Sequence, residues 1–296
     1  MKWFAMLLIM RPANIITAIA DVIAGVAIVG YLTSEVIDQH HIIQIVLLSI
    51  ATAGLYGGGI VFNDIFDLEQ DKINRPERVI PSGKLSLKQA TYLGIMLFAL
   101  AIISAFCVSA FSGYVAIAIM TSALLYDKYG KHHGFLGPIN MGLCRGLNLI
   151  LGMSVVSGLE PKYYAIGVLP IIFISAITLT AQKETKGKNK LAIGFAMLLD
   201  ASIVLGFWII SQHFDFSFKS AFIFLLFWYG VNLVAKTNAI IKNTPKHIMK
   251  AVKIGVLSLI PLNASYVAGF SSPFIAILVL CLLPISLFLS KKFPVT

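Results

Sequence analysis

Long apolar runs, each closed by charged residues or by a Gly/Pro cluster, follow one another along the whole chain. Runs near 20 residues that do not alternate with polar positions predict bilayer-crossing helices. Barrel strands would alternate over segments of about ten residues. Ten spans are predicted: 12–32, 42–64, 89–110, 112–126, 136–157, 163–182, 191–212, 218–237, 249–269 and 272–290. The fourth is short, and SAFSGY separates it only weakly from the third. The last two are divided only by Gly269 to Pro273. One member of either pair is a candidate re-entrant segment, so the count is nine to ten. With no internal repeat or long linker, the expected fold is all-α: one polytopic transmembrane helical bundle over 1–296.

Composition agrees. Charged residues make up 12% of the chain and hydrophobic ones 58%, with a mean hydropathy of +0.88. A soluble domain carries about 25% charged residues, so an ordinary soluble enzyme and a disordered chain are excluded. The net charge of +10 would suggest nucleic acid in a soluble protein. Here its distribution explains it. With the N-terminus on side one and alternating connections, 20 Lys and Arg fall on side one and only Lys162 and Lys219 on the other. By the positive-inside bias both termini are expected to be cytoplasmic. The lipid bilayer is then the partner and nucleic acid is not. Cys107, Cys144 and Cys281 lack ligand spacing and are expected as small core residues. The six histidines are expected to be solvated. The N-terminal run lacks a small-residue cleavage site, so no cleaved signal peptide is expected.

Chemistry concentrates at the end of the second span, GGGIVFNDIFDLEQDKINRPERVIPSGKLS. Asp64, Asp67 and Asp71 stand at i, i+3 and i+7, so on a continuous helix they share a face within about 60°. Glu69 lies among them, and Asn63 lies one turn before Asp67. Like charges so close repel unless a cation sits between them. Hard oxygen ligands favour Mg²⁺ or Ca²⁺, and Mg²⁺ characteristically joins a few carboxylates to substrate phosphates. Arg75 and Arg78 follow at once and suit bidentate phosphate recognition. Pro76 predicts that the helix ends near Asn74, and Gly83 predicts a turn. The spans also hold buried-polar candidates, where charge is costly and tends to be functional. They are Asn14 and Asp21 in the first, Arg145 with Asn148 in the fifth, and Asp200 in the seventh. An Asp21–Arg145 pair is possible on chemistry alone.

NDIFDLEQD resembles the N-D-x-x-D-x-x-x-D signature of UbiA-type membrane prenyltransferases, and INRPERVIPSG resembles that family's continuation. RPAN at 11–14 is similar to its start, and Tyr126, Asp127 and Lys128 fall where it has a Tyr/Lys-containing cytoplasmic segment. The stretches 13–25 and 137–154 look most like the EboC-like branch, whose members are bacterial. The resemblance implies a cytoplasmic-side active-site cavity and an isoprenyl diphosphate held by Mg²⁺. It also implies transfer of the isoprenyl group to a small lipophilic or aromatic acceptor. Asn63, Asp64, Asp67 and Asp71 would be the catalytic set, with Asp64, Asp67, Asp71 and Glu184 as metal ligands. Arg75, Arg78, Tyr126, Lys128, Arg145, Asn14, Asp21 and Lys186 would bind substrates.

The chain departs from the family pattern after the sixth span. Where a second aspartate-rich segment is usual, it reads TAQKETKGKNKLAIG, with Glu184 alone acidic among four lysines. Either the second metal is lost here or diphosphate is bound differently, with a lysine such as Lys186 neutralising it in place of a metal; the alternative is that the lysines are only positive-inside topology signals. The rival reading is a transporter or a catalytically degenerate accessory protein for a lipophilic metabolite. A CDP-alcohol phosphotransferase is disfavoured because its D-G-x-x-A-R opening is missing.

Overall fold

The computed structural model describes residues 2–32, 38–134, 136–182 and 189–293, with His132 described by its backbone only. Among these residues there are helices and no strand. The first crossing is α1 (Lys2–Met10) and α2 (Pro12–Ile28), bent by 50°. Pro12 causes the bend, because the residue before a proline is pushed out of the α region. Arg11 adopts φ 51°, ψ 67°, a left-handed conformation rare for a residue with a side chain.

The second crossing, α3 (Gln39–Phe66), runs into the short α4 (Leu68–Asn74). Then come α5 (Leu87–Phe106), opened by a Ser86/Gln89 capping box, and α6 (Ala110–Lys128), opened by Ser109. They are followed by α7 (Leu136–Met153), the linked pair α8 (Pro161–Tyr164) and α9 (Val168–Ala181), α10 (Lys190–His213) and α11 (Phe218–Lys242). The chain closes with α12 (Pro245–Leu257) and α13 (Leu259–Phe270), then α14 (Pro273–Leu280) and α15 (Leu282–Lys292). Each of these last two pairs forms one apolar stretch long enough to span.

Among the described residues eight stretches are long and apolar enough to cross a membrane, or nine with the bent α1–α2 pair. The chain is thus an integral membrane helical bundle. Neither pair suspected of re-entrance loses a member. The predicted span that falls short is 136–157. As α7 it carries Asn140, Arg145 and Asn148 and is packed inside the bundle against α2, α6 and α9. A helix buried among helices does not need a continuous apolar surface.

Close approach makes this possible. A Cβ on Gly25 would lie 2.2 Å from Leu149 O, and one on Gly152 would lie 2.2 Å from Val22 O, so α2 and α7 touch backbone to backbone. On another face of α7, Cβ atoms at Gly142 and Gly146 would lie 2.5 Å and 2.6 Å from carbonyls of α9 and its preceding turn. Lipid tails are as apolar as leucine, so membrane helices associate through such close packing and through polar contacts. An outer belt of exposed Leu, Ile and Phe, such as Phe222, Ile223 and Leu226 on α11, suits lipid contact.

Three expectations are corrected here. Cys107 and Cys281 are exposed and not in the core, because an apolar residue in a membrane protein needs no protein neighbour. Lys236, counted with the loop lysines, is buried within α11 and pairs with Asp200 on α10 at 2.5 Å. His41 is half-buried rather than solvated, its ring 3.9 Å from that of Tyr31 and its Nδ1 2.5 Å from Asp38.

Gly152→Leu should separate α2 from α7, at a cost of about 1–3 kcal/mol. A lower thermal unfolding midpoint in detergent is the expected result. An unchanged midpoint would show that the crossing tolerates a side chain.

Candidate active site

One cavity of about 310 Å³ opens among α2, α3, α6, α7, α9 and α12. Its walls are largely apolar and include Leu55, Ile60, Ile119, Met141, Ile177, Val252 and Val256. Its polar lining includes Arg11, Asn14, Thr52, Tyr56, Asn63, Tyr126, Asp127, Arg145 and Asn148.

The carboxylates of the acidic segment meet cations near the Arg11–Asn63 end of this cavity. Asp64 receives Arg11 Nη2 at 3.0 Å and Arg78 Nη1 at 3.3 Å, and the same Arg78 nitrogen donates to Asp71 Oδ2 at 2.6 Å. All four side chains are largely withdrawn from solvent. The helix is not continuous as expected: it breaks at Asp67, which caps both α3 and α4. Asp67 is therefore paired separately, with Lys131 beyond the end of α6. The α4 helix does end at Asn74, and Arg75 takes φ −144°, ψ 59°, outside the α region before Pro76. Gly83 forms the predicted turn with φ 74°.

Strain contributes to this arrangement. The left-handed Arg11 marks the α1–α2 bend and delivers its guanidinium to Asp64, across more than 50 residues of sequence. A non-glycine residue in that region persists only where its surroundings hold it.

Deeper in the bundle a second polar cluster lies behind the wall. Arg145 Nη1 donates to Asp21 Oδ2 at 2.6 Å and Nη2 to Thr17 at 2.8 Å. Asn148 donates to Asp21 at 3.0 Å and to Ala18 O at 2.9 Å, and accepts from Thr52 at 2.6 Å. Asn263 on α13 donates to Asp21 Oδ1 at 2.7 Å. The Tyr56 ring centroid lies 4.8 Å from the Arg145 guanidinium carbon. This satisfies the rule that a charge in low dielectric must be paired and hydrogen-bonded.

The predicted residues thus fall into groups. Asn14, Asn63, Tyr126 and Arg145 line the cavity. Asp64, Asp71 and Arg78 form the cationic–anionic cluster, and Arg75 caps α4 beside it. Asp21 does not reach the cavity surface; it is 1% exposed and orients Arg145 from behind. Lys128 is exposed, 5.1 Å from the Tyr129 ring, and is not in the lining. The lysine that meets the acidic segment is Lys131, which no motif spacing singled out. Glu184 and Lys186 lie outside the described residues. Arg11 and Asp127 stood in stretches that carry the family likeness but were assigned no role of their own, and Tyr56 was not singled out.

A family model described as the UbiA prenyltransferase family matches residues 22–234. A digeranylgeranylglyceryl phosphate synthase of Methanosarcina mazei is 31% identical over 176 residues. That match covers 59% of this chain and 59% of that protein, so the chain spans little more than half the length of this relative. Two solved structures share the fold. The apo UbiA homologue of Aeropyrum pernix K1 gives a TM-score of 0.69 at 15% identity, covering 90% of this chain and 98% of that one. The UbiA homologue of Archaeoglobus fulgidus bound to GPP and Mg²⁺ gives 0.61 at 11%, covering 89% and 99%.

The buried pair yields a stability test. Asp21→Asn or Arg145→Gln alone should cost about 3–5 kcal/mol, because each leaves an unpaired charge in the bundle. The double variant should lose less than the sum of the two. Unfolding of the three variants in detergent checks this, and additive losses would show that the two charges are not coupled.

Proposed function

Because the chain belongs to the UbiA prenyltransferase family, we propose that it transfers an isoprenyl group from an isoprenyl diphosphate, with Mg²⁺, to a small lipophilic or aromatic acceptor in the membrane. The observation that carries this reading is a carboxylate–arginine cluster at one end of an apolar cavity. Such a site suits a ligand with a highly charged head and a hydrocarbon tail.

The donor chemistry fits Mg²⁺. Asp64, Asp67 and Asp71 offer only hard oxygens, and Asp64 and Asp71 already converge on one cationic group, the Arg78 guanidinium. Among the described residues no three acidic, histidine or cysteine side chains form a ready-made metal cage. Mg²⁺ characteristically joins one or two carboxylates to substrate phosphates. Asp64, Asp67 and Asp71 would hold it, with Glu184 as a further candidate. When bound, the ion supplies positive charge to a departing diphosphate.

The protein's own groups do the remaining work. Arg11 and Arg78 are fixed cations for the diphosphate oxygens, and Arg75 and Tyr126 stand beside that site. Leu55, Ile119, Met141, Ile177, Val252 and Val256 hold the hydrocarbon and exclude water from an allylic cation. Asn14, Tyr56, Arg145 and Asn148 give the cavity a polar wall for the acceptor. Asn63 turns its amide to Asp127 at 2.8 Å, which makes it a positioning residue.

The charge asymmetry supports cytoplasmic termini, with the acidic segment on the same face. An EboC-like branch and a bacterial inner membrane rest on the stretches 13–25 and 137–154 alone. The relative from Methanosarcina carries a different name, which makes a glyceryl phosphate lipid the acceptor to test first.

Purified protein given geranyl, farnesyl or geranylgeranyl diphosphate should release diphosphate only with Mg²⁺. Asp64→Asn/Asp67→Asn should reduce release by about 100-fold or more, the usual scale for losing transition-state charge stabilisation. No release from well-folded protein with any donor would favour the transporter or accessory reading. Lys186→Ala is expected to lower release far more than Glu184→Ala. Equal, small effects would leave the lysine-rich segment as a topology signal.

A further inference from the structure

Every carboxylate of the acidic segment already has a cation. Asp64 pairs with Arg11 and Arg78, Asp71 with Arg78, Asp67 with Lys131 and Glu69 with Lys72. The three aspartates are thus matched in charge, one for one, by Arg11, Arg78 and Lys131. A divalent ion arriving alone meets little surplus negative charge, and it must win its oxygens from side chains that already hold them. Asp64 and Asp71 share a partner: one nitrogen, Arg78 Nη1, donates to both, at 3.3 Å and 2.6 Å. The backbone of Arg78 is anchored. Its carbonyl accepts from the Ser82 amide at 2.9 Å. The next two residues, Val79 and Ile80, are buried in one cluster with Ala5 and Ile9 of α1. Beyond that anchor the side chain is long and unbranched, so its charge is permanent while its partners are exchangeable.

We propose that Arg78 is the switch that couples metal binding to diphosphate binding: its guanidinium holds Asp64 and Asp71 until a diphosphate draws it away, and the two carboxylates then become available to Mg²⁺. This rests on the prenyl-transfer reading above and concerns the order of binding at the same site. A guanidinium and a divalent cation compete for the same carboxylate oxygens, so each weakens the hold of the other. A diphosphate shifts that competition in two ways. It offers the planar guanidinium a bidentate phosphate partner, and it adds the negative charge that the matched cluster lacks. Arg11 has a different place in this scheme. It sits on the strained backbone of the α1–α2 bend and meets Asp64 at 3.0 Å, whereas Arg78 joins Asp64 to Asp71. Such coupling is reciprocal: if diphosphate tightens the metal, the metal tightens diphosphate by the same factor.

The test measures binding, not turnover, on the full chain in nanodiscs. Mn²⁺, whose free form gives an electron paramagnetic resonance signal, stands in for Mg²⁺ as a cation that takes oxygen ligands. Geranyl S-thiolodiphosphate, a slowly ionising analogue, stands in for the donor. Empty nanodiscs correct for Mn²⁺ held by the analogue in solution. The wild type should bind Mn²⁺ weakly alone and about tenfold or more tighter with the analogue, a usual size for coupled sites. Arg78→Gln should bind Mn²⁺ alone about tenfold more tightly than the wild type, and its coupling factor should fall toward one. Adding Asp64→Asn should remove that gain, which places the tighter ion on the same carboxylates. Mn²⁺ binding to the wild type that the analogue does not change overturns the proposal without any variant. Unchanged or weaker Mn²⁺ binding by folded Arg78→Gln overturns it as well, since Arg78 would then be only a brace for the carboxylates. An analogue that binds neither with nor without Mn²⁺ is a failure of the prenyl-transfer reading itself, whereas binding of both ligands without coupling overturns the switch alone.

Discussion

An arginine and an aspartate inside a lipid-spanning bundle are tolerable only together, and the arrangement of the central helices follows from that constraint. Asp21 and Arg145 meet at 2.6 Å, and Thr17, Asn148 and Asn263 complete their hydrogen bonding. The network ties α2 to α7, and through Asn263 and Thr52 it reaches α13 and α3. Such a network contributes specificity more than raw stability, because an apolar replacement of similar shape would avoid the desolvation it carries. What it defines is register. With Gly25 and Gly152 in backbone contact and the ion pair closed, α7 has little freedom to slide or turn.

That fixed register orients the cavity. Arg145 and Asn148 present one side to the buried Asp21 and another to the cavity wall, so one cluster serves both the bundle and the pocket. At the other end, the acidic segment is held by cations drawn from three separate places: Arg11 at the first bend, Arg78 in the loop after α4 and Lys131 after α6. Charges of both signs interleave there, so the cluster offers cations to an incoming anion. Between these two polar ends the walls are aliphatic. A charged rim, a dry middle and a polar wall are the properties that transfer of a hydrocarbon group from a diphosphate requires.

The sequence alone determined the membrane class, the helical architecture and the location of the acidic segment. Each depends on local chemistry. Twenty apolar residues in a row must be a helix in lipid, Pro12 and Pro76 must disturb the backbone before them, and three aspartates within eight positions at a span end demand cations. The likeness of NDIFDLEQD to a family signature was legible for the same reason, since a motif is a local pattern. Even the pairing of Asp21 with Arg145 could be named as a chemical possibility, although nothing local required it.

Only the tertiary structure decided which charges meet. Periodicity predicted one acidic face over 64–71, but the backbone breaks at Asp67, so Asp64 and Asp71 share Arg78 while Asp67 turns to Lys131. It set Asp21 behind the cavity wall, left Lys128 outside the cavity and buried Lys236 against Asp200. It also made Asp127 a wall residue that meets the Asn63 amide. The physical reason is range. Helix formation and lipid partition are settled within a turn or a span of the residues that cause them. Tertiary contacts join groups far apart in the chain, 53 residues between Arg11 and Asp64 and 242 between Asp21 and Asn263, and they exist only once the helices have packed.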